Sequence, residues 1–331
     1  MTAAPVSLWR RRNRWAGHTR SAYALRRSAR LLLSLALLLT ATFFMIHLVP
    51  GDPVRAALGT SAPASLVNAR KAALGLDKPL TTQYADYVRH VLHGDFGTSL
   101  TTNEKVSDVI RERLPATLEL AGLAFLVAML VAVPLGVTMA ALTRDGRRRS
   151  VELGFTTTSG VFAAIPSFLL AVALVYLFAV TVQVFPVAGR GGASSYVLPV
   201  AALAIAPIAA LSRIIRVEGL RVLEQDYIRT ARGKRLPPRL VYVRHALPNT
   251  LTATLTIAGL LLGALIAGTV LVENVFAWPG LGTSLVQAVV QKDYPTVQAI
   301  ALVFGTFVLL INFAVDIALG AIDPRSTILD R

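Results

Sequence analysis

The side chains of this sequence best equipped to bind or react at close quarters crowd into one stretch, EQDYIRTARGKRLPPRLVYVRHALPN, Glu224 to Asn249. It offers a carboxylate at Asp226, a phenol at Tyr227, a hydroxyl at Thr230 and cationic groups at Arg229, Arg232, Lys234 and Arg235. Two kinds of chemistry suit such a set: cradling a phosphate or docking another protein. Cradling a phosphate calls for a turn of the form G-x-x-x-x-G-K-[ST], whose backbone N–H groups face the anion. Here Gly233-Lys234 runs into Arg235 and lacks the upstream glycine, so nucleotide hydrolysis by this chain is not expected. Docking fits better. A helix over 224–236, stopped by Pro237-Pro238 because proline cannot continue it, brings Tyr227, Ile228, Ala231 and Arg235 onto one face. An apolar knob ringed by arginine suits a surface on a soluble partner; the plainer reading is a solvated charged linker.

Other reactive constellations are sparse. With no cysteine there is neither a disulfide nor a thiolate metal site. H-E-x-x-H and G-x-S-x-G do not occur, which removes the main support for metallo- and serine-hydrolase readings. The five histidines are scattered, and His47 reads as a packed or interfacial residue, not a ligand. No catalytic residue and no metal site is expected. Glu119 and Asp316 fall in apolar segments without an obvious basic partner in a span. They read as structural caps or interhelix hydrogen bonds in preference to a proton relay.

The elements that must carry the basic stretch are apolar. The chain is 54% hydrophobic and 15% charged, with mean hydropathy +0.61, against about 25% charged in ordinary globular domains. Six apolar segments stand out, near 31–49, 116–142, 155–185, 197–212, 250–272 and 297–320. The fourth is short, and Leu211–Val217 can extend its helix beyond the bilayer. Pro134, Pro166 and Pro207 lie inside these segments, which membrane helices tolerate when neighbours re-satisfy the backbone. The expected fold is an all-α polytopic membrane protein with six transmembrane helices. A signal peptide is disfavoured because the first run is long and no A-x-A site follows it.

Charge orients the spans. The arm 1–30 holds eight arginines, loop 143–150 four basic residues, loop 213–248 nine and the tail 321–331 two, so 23 of 33 lie on one side. Segment 50–115 holds eight against seven acids, and 186–196 and 273–296 one each. The richer side is expected to be cytoplasmic, with both termini there. The net charge of +15 is thus read as topology, not nucleic acid binding, for which no recognisable fold is present. The expected divisions are a basic, partly disordered arm at 1–30, a first helix at 31–49, an extracellular domain at 50–115, a five-helix core at 116–320 that includes loop 213–248, and a cytoplasmic tail at 321–331. Burying the basic residues of 213–248 would cost on the order of 25 kcal/mol, so that loop lies in water or against protein.

DYIRTARGKRL followed by RHALPN resembles the cytoplasmic loop motif of importer-type ABC permeases, EAA-x3-G-x9-I-x-L-P. Arg229, Thr230 and Ala231 stand at E-A-A, and His245, Ala246, Leu247 and Pro248 at I-x-L-P. Arg235 stands where the family has glycine, a residue that permits a left-handed turn which arginine disfavours. HLVPGDP (47–53), LGLDKPLTTQY (74–84), GDFGTSL (94–100), RLPATLEL (113–120), ENVFAWPGLG (273–282), KDYPTVQ (292–298) and NFAVDIALGAIDPR (312–325) extend the resemblance to the B-type permease of oligopeptide and dipeptide importers over about 30–325. The resemblance implies a type I importer permease fold in the bacterial inner membrane. It further implies a second, C-type permease, two ATPase subunits that bind ATP and Mg, and an extracellular substrate-binding protein, with no cofactor in this chain. Asp226–Leu236 would be the coupling helix, with Asp226, Tyr227, Ile228, Arg229, Thr230, Ala231, Arg232, Arg235, Leu247 and Pro248 as docking residues. Small residues at four-residue spacing, Gly259, Gly263, Ala264, Ala267 and Gly268, with Glu273 beyond, mark a permease–permease or pathway face, or else close packing within the chain. The competing function is a secondary transporter or channel not driven by ATP.

Overall fold

The computed structural model describes residues 7–48, 53–59, 61–73, 75–146 and 148–322, with side chains from residue 24 onward except at 53, 57, 73, 253 and 319–322. The outermost ends of the arm and tail lie outside these residues. Thirteen α-helices are described: α1 (Ser7–His47), α2 (Pro53–Leu58), α3 (Ala64–Ala73), α4 (Leu80–Leu92), α5 (Val106–Leu142), α6 (Arg149–Ala164), α7 (Ser167–Leu174), α8 (Ala193–Leu223), α9 (Asp226–Gly233), α10 (Pro238–Leu240), α11 (Leu247–Val275), α12 (Leu281–Val290) and α13 (Tyr294–Ile322). Five are long and apolar enough to cross a membrane, and α6 with α7 forms a sixth, bent candidate. Helices satisfy their own backbone groups, the requirement that hydrocarbon imposes.

The centre is α5 packed on α8. Along α5 the buried residues Ala116, Leu120, Ala124, Ala128, Ala132, Gly136 and Ala140 recur every four positions, forming one ridge of the helix surface. Small side chains there let the backbones approach. A Cβ on Gly136 would sit 2.7 Å from Ile215 and from the carbonyl of Ser212, and one on Gly219 would sit 3.0 Å from Ala140. Leu211, Ile215 and Ala258 of α11 complete this layer.

The third expected span is not straight. Ile165 and Pro166 are extended (ψ 121° and 138°), because a residue before proline is pushed out of the helical region, and α6 meets the following segment 167–181 at 94°. The break does not turn the chain back. Glu152 in α6 pairs with Arg216 near the far end of α8, while the N–H of Gly189 bonds the carbonyl of Phe276 2.8 Å away and Arg190 pairs with Glu119 at the opposite end of the bundle. The bent pair therefore crosses once.

α1 lies against α13. A Cβ on Gly305 would meet Leu38 at 2.7 Å, Gln298 donates to the carbonyl of Thr42 at 2.8 Å, and Arg27 pairs with Asp316 at 2.9 Å. Both acids thus have arginine partners, and Glu119 also accepts from Tyr196 of α8 at 3.0 Å, structural ties between helices as expected. Arg27 is within reach because α1 starts at Ser7 and the apolar span begins near Ala24; from Ser7 onward the described part of the arm is a helical continuation of the first span. α4 leans on the end of α1 through Tyr84 and Thr40 (2.8 Å), Tyr87 and Thr42 (3.1 Å), and His47, which packs on Phe43 and bonds Gln83. The other expected helices are longer than their apolar cores: α5 begins at Val106, within the expected loop domain, and α8 runs to Leu223.

Candidate coupling surface

Two residues, Glu224 and Gln225, separate the end of α8 from α9. Gln225 is extended (ψ 149°) and makes no side-chain cap, so Asp226, placed in the first turn, supplies the negative charge that a helix N-terminus favours. Asp226 also lies 3.5 Å from Arg229. The helix ends at Gly233, short of Leu236. The stop is a left-handed turn at Arg235 (φ 54°), with its N–H bonded to the carbonyl of Arg232 and that of Leu236 to Ala231. Such a turn commonly closes helices and usually carries glycine. Arg235 therefore adopts the conformation that glycine would hold more easily, and the proline pair follows the stop instead of causing it.

Ile228 is fully buried and Ala231 nearly so. They pack with Ala140 of α5, Leu223 of α8, and Val241 and Ala246 of the π-wound stretch Val241–Ala246 that leads into α11. This corrects the expected shared knob: Ile228 and Ala231 point into the chain and anchor α9. The outer side carries Asp226, Tyr227, Arg229, Thr230, Lys234 and Arg235, all exposed, with Arg232 half-buried. Tyr227 is 42% exposed, and partial burial pushes its phenol pKa up. Leu247 is half-buried and Pro248 exposed in the first turn of α11, where proline's missing N–H has no intrahelical partner to lose. The result is a short cationic helix with one aromatic ring, fixed from behind.

The small residues of α11 divide between two sides. A Cβ on Gly259 would lie 2.3 Å from Val315, and one on Gly263 would lie 3.4 Å from Val308, so both serve close packing on α13; Gly268 faces Leu203 of α8. Ala264 and Ala267 are exposed. Glu273 is fully buried and accepts from the N–H groups of Gly282 (2.7 Å) and Thr283 (3.3 Å). It clamps the turn into α12. The same turn is held by Trp278, whose indole N–H donates to the carbonyl of Ala116, and by Thr117, which accepts from Leu281 N–H.

Sequence reading missed two polar centres. Arg216, buried within α8, donates to Thr143 Oγ1 (2.9 Å) and Glu152 Oε1 (2.6 Å). Asp293, also buried, accepts from Ser99 Oγ (2.5 Å), Leu100 N–H (3.0 Å) and Thr296 Oγ1 (2.7 Å). Their partners lie up to 194 positions away in sequence, so only the presence of a charge beside an apolar run could have marked them.

Residues 132–328 match the binding-protein-dependent transport system inner membrane component family, and residues 21–121 match the N-terminal part of the same kind of membrane component. The chain belongs to that family. Among relatives, it is 37% identical over 303 residues to the glutathione transport system permease protein GsiC of Salmonella typhimurium, covering 91% of this chain and 97% of the relative. It is 38% identical over 313 residues to a provisionally named peptide transport system permease protein of Brucella suis, covering 92% and 98%. Among solved structures, an inward-facing MetNI methionine ABC transporter chain aligns with TM-score 0.56 at 19% identity, covering 65% of this chain and 96% of that one. The permease therefore has the type I ABC importer fold. It is a polytopic component of the inner membrane.

Proposed function

We infer that this permease forms half of the translocation path of an ATP-driven importer of short peptides and that ATPase subunits drive it through α9. The substrate class rests on the relatives, named for glutathione and peptide transport. The observation that carries the coupling role is the division of α9: Ile228 and Ala231 anchor it to α5 and α8 while Tyr227, Arg229 and Thr230 face outward. A helix anchored from behind can pass a push to the spans; a solvated linker cannot. Leu247 and Pro248, where α9's return segment enters α11, flank the same surface. ATP and Mg are bound by two partner ATPase subunits, a C-type permease supplies the other half of the path, and an external binding protein delivers the peptide. The face bearing α9 holds most of the basic residues and is cytoplasmic, as are both termini.

The test uses the complete importer in proteoliposomes, with labelled glutathione and a labelled dipeptide as probes. Interface anchors often contribute 2 kcal/mol or more, roughly thirtyfold in affinity. Tyr227→Ala with Arg229→Ala should weaken ATPase attachment by about that factor and abolish stimulation of hydrolysis by loaded binding protein. Full stimulation at equal assembly refutes the docking role. ATP-independent uptake by this chain alone would support a secondary transporter instead.

A further inference from the structure

We propose that Arg216 and Glu152 form a positioning link that carries movement of α9 into the broken span 149–181, an inference that rests on the coupling role of α9. Around the link, α9 touches the bundle where Ile228 packs on Ala140 and Leu223. One turn along α5 from Ala140, the hydroxyl of Thr143 donates to the carbonyl of Met139 (2.7 Å) and accepts from Arg216 Nε. The other end of the same guanidinium holds Glu152 in the first turn of α6. A single side chain of α8 thus ties together the end of α5 and the start of α6, beside the anchor of α9.

α6 is otherwise thinly held. Among its described residues only Ser159 is buried. An apolar groove of about 520 Å³ opens along one flank of α6 beside α5 and α8, lined in part by Met139, Val151, Phe155, Phe162, Ile208 and Ser212. Close packing resists displacement and transmits strain; a groove permits it. At its far end α6 meets the 94° break at Ile165–Pro166, a hinge that needs no helical hydrogen bonds to be broken. The arrangement is a lever with a loose flank, a hinge at one end and a charge-assisted clasp at the other. A guanidinium suits that task, since its donors lie in one rigid plane and fix the directions of the bonds to Thr143 and Glu152 together. When α9 is displaced with the end of α8, the clasp makes α6 follow.

The experiment measures ATP hydrolysed per peptide imported in the reconstituted importer, a ratio that a purely structural role would leave unchanged. Glu152→Gln, at a side chain 35% exposed, should keep the complex assembled and raise the ratio about fivefold or more, the lower end of common coupling strengths. Arg216→Leu with Glu152→Leu removes the pair without leaving a lone buried charge, and such replacements often leave stability intact; it should be assembled and uncoupled to the same degree. The double variant should uncouple no further than Glu152→Gln does, because both remove one interaction. Tyr227→Ala with Arg229→Ala is the reference. If the reference uncouples while both Glu152→Gln and the double leucine variant keep the normal ratio, the link is overturned and the role of α9 stands. If the reference also stays coupled, the coupling role of α9 fails, and the link with it.

Discussion

Ile228 and Tyr227 are neighbours in sequence with opposite duties, and substitution separates them. Ile228→Ala opens a cavity in a fully buried site, a change that costs about 2–5 kcal/mol; it should lower the thermal unfolding midpoint of the purified permease. Tyr227→Ala removes a ring that is 42% exposed and should leave that midpoint nearly unchanged while weakening ATPase attachment. Arg235→Gly should raise the midpoint, because a non-glycine residue in the left-handed region carries a penalty of roughly 1 kcal/mol. A lower midpoint would mean that the Arg235 side chain contributes more than its backbone loses. Asp293→Ala leaves the Ser99 hydroxyl, the Leu100 N–H and the Thr296 hydroxyl without their acceptor, at about 1–3 kcal/mol for an unsatisfied buried group. Limited proteolysis should then cut faster within 94–105.

At the scale of elements, close approach is what the glycines provide. Gly259 on α11 and Gly305 on α13 occupy positions where a methyl group would overlap Val315 and Leu38. Gly259→Ala should therefore destabilise the permease by about 1–3 kcal/mol through overpacking, and Val315→Ala in the same chain should restore much of the loss. Equal stability of the single and double variants would show that α11 and α13 part freely. The break between α6 and α7 has a different origin. Pro166 removes an N–H and pushes Ile165 into an extended conformation, yet Pro134 and Pro207 sit inside continuous helices. Local chemistry permits a break at each proline, and packing decides where it happens: α5 and α8 hold each other along their length, whereas α6 has little to brace it.

For the whole molecule, the proposed orientation rests on charge. Basic residues collect on the face that carries α9, and α4 lies three crossings away on the other. The absence of cysteine makes this directly measurable. Leu80→Cys should react with a membrane-impermeant maleimide in spheroplasts, and Lys234→Cys only after the membrane is opened. Labelling of both from the same side contradicts six crossings. The face with α4 is held by long-range polar ties, Asp293 to Ser99 and Trp278 to Ala116, so it should stay folded when α9 is altered.

The apolar runs, their approximate number and the side richest in arginine were legible in the sequence, because hydrocarbon demands long apolar helices and basic residues resist translocation whatever the neighbours are. The loop motif located α9, and the i, i+3 rule grouped Ile228 with Ala231. What neither could decide is which face of α9 turns inward, since one apolar patch serves equally as an anchor or as a docking knob. That was settled by Ala140 and Leu223, which stand far apart in sequence and meet only because α5 and α8 cross closely at Gly136 and Gly219. The same holds for the partners of Arg216 and for Ser99 and Leu100 against Asp293. A buried charge announces that it needs a partner, but its identity is a property of packing, and packing exists only in the tertiary structure.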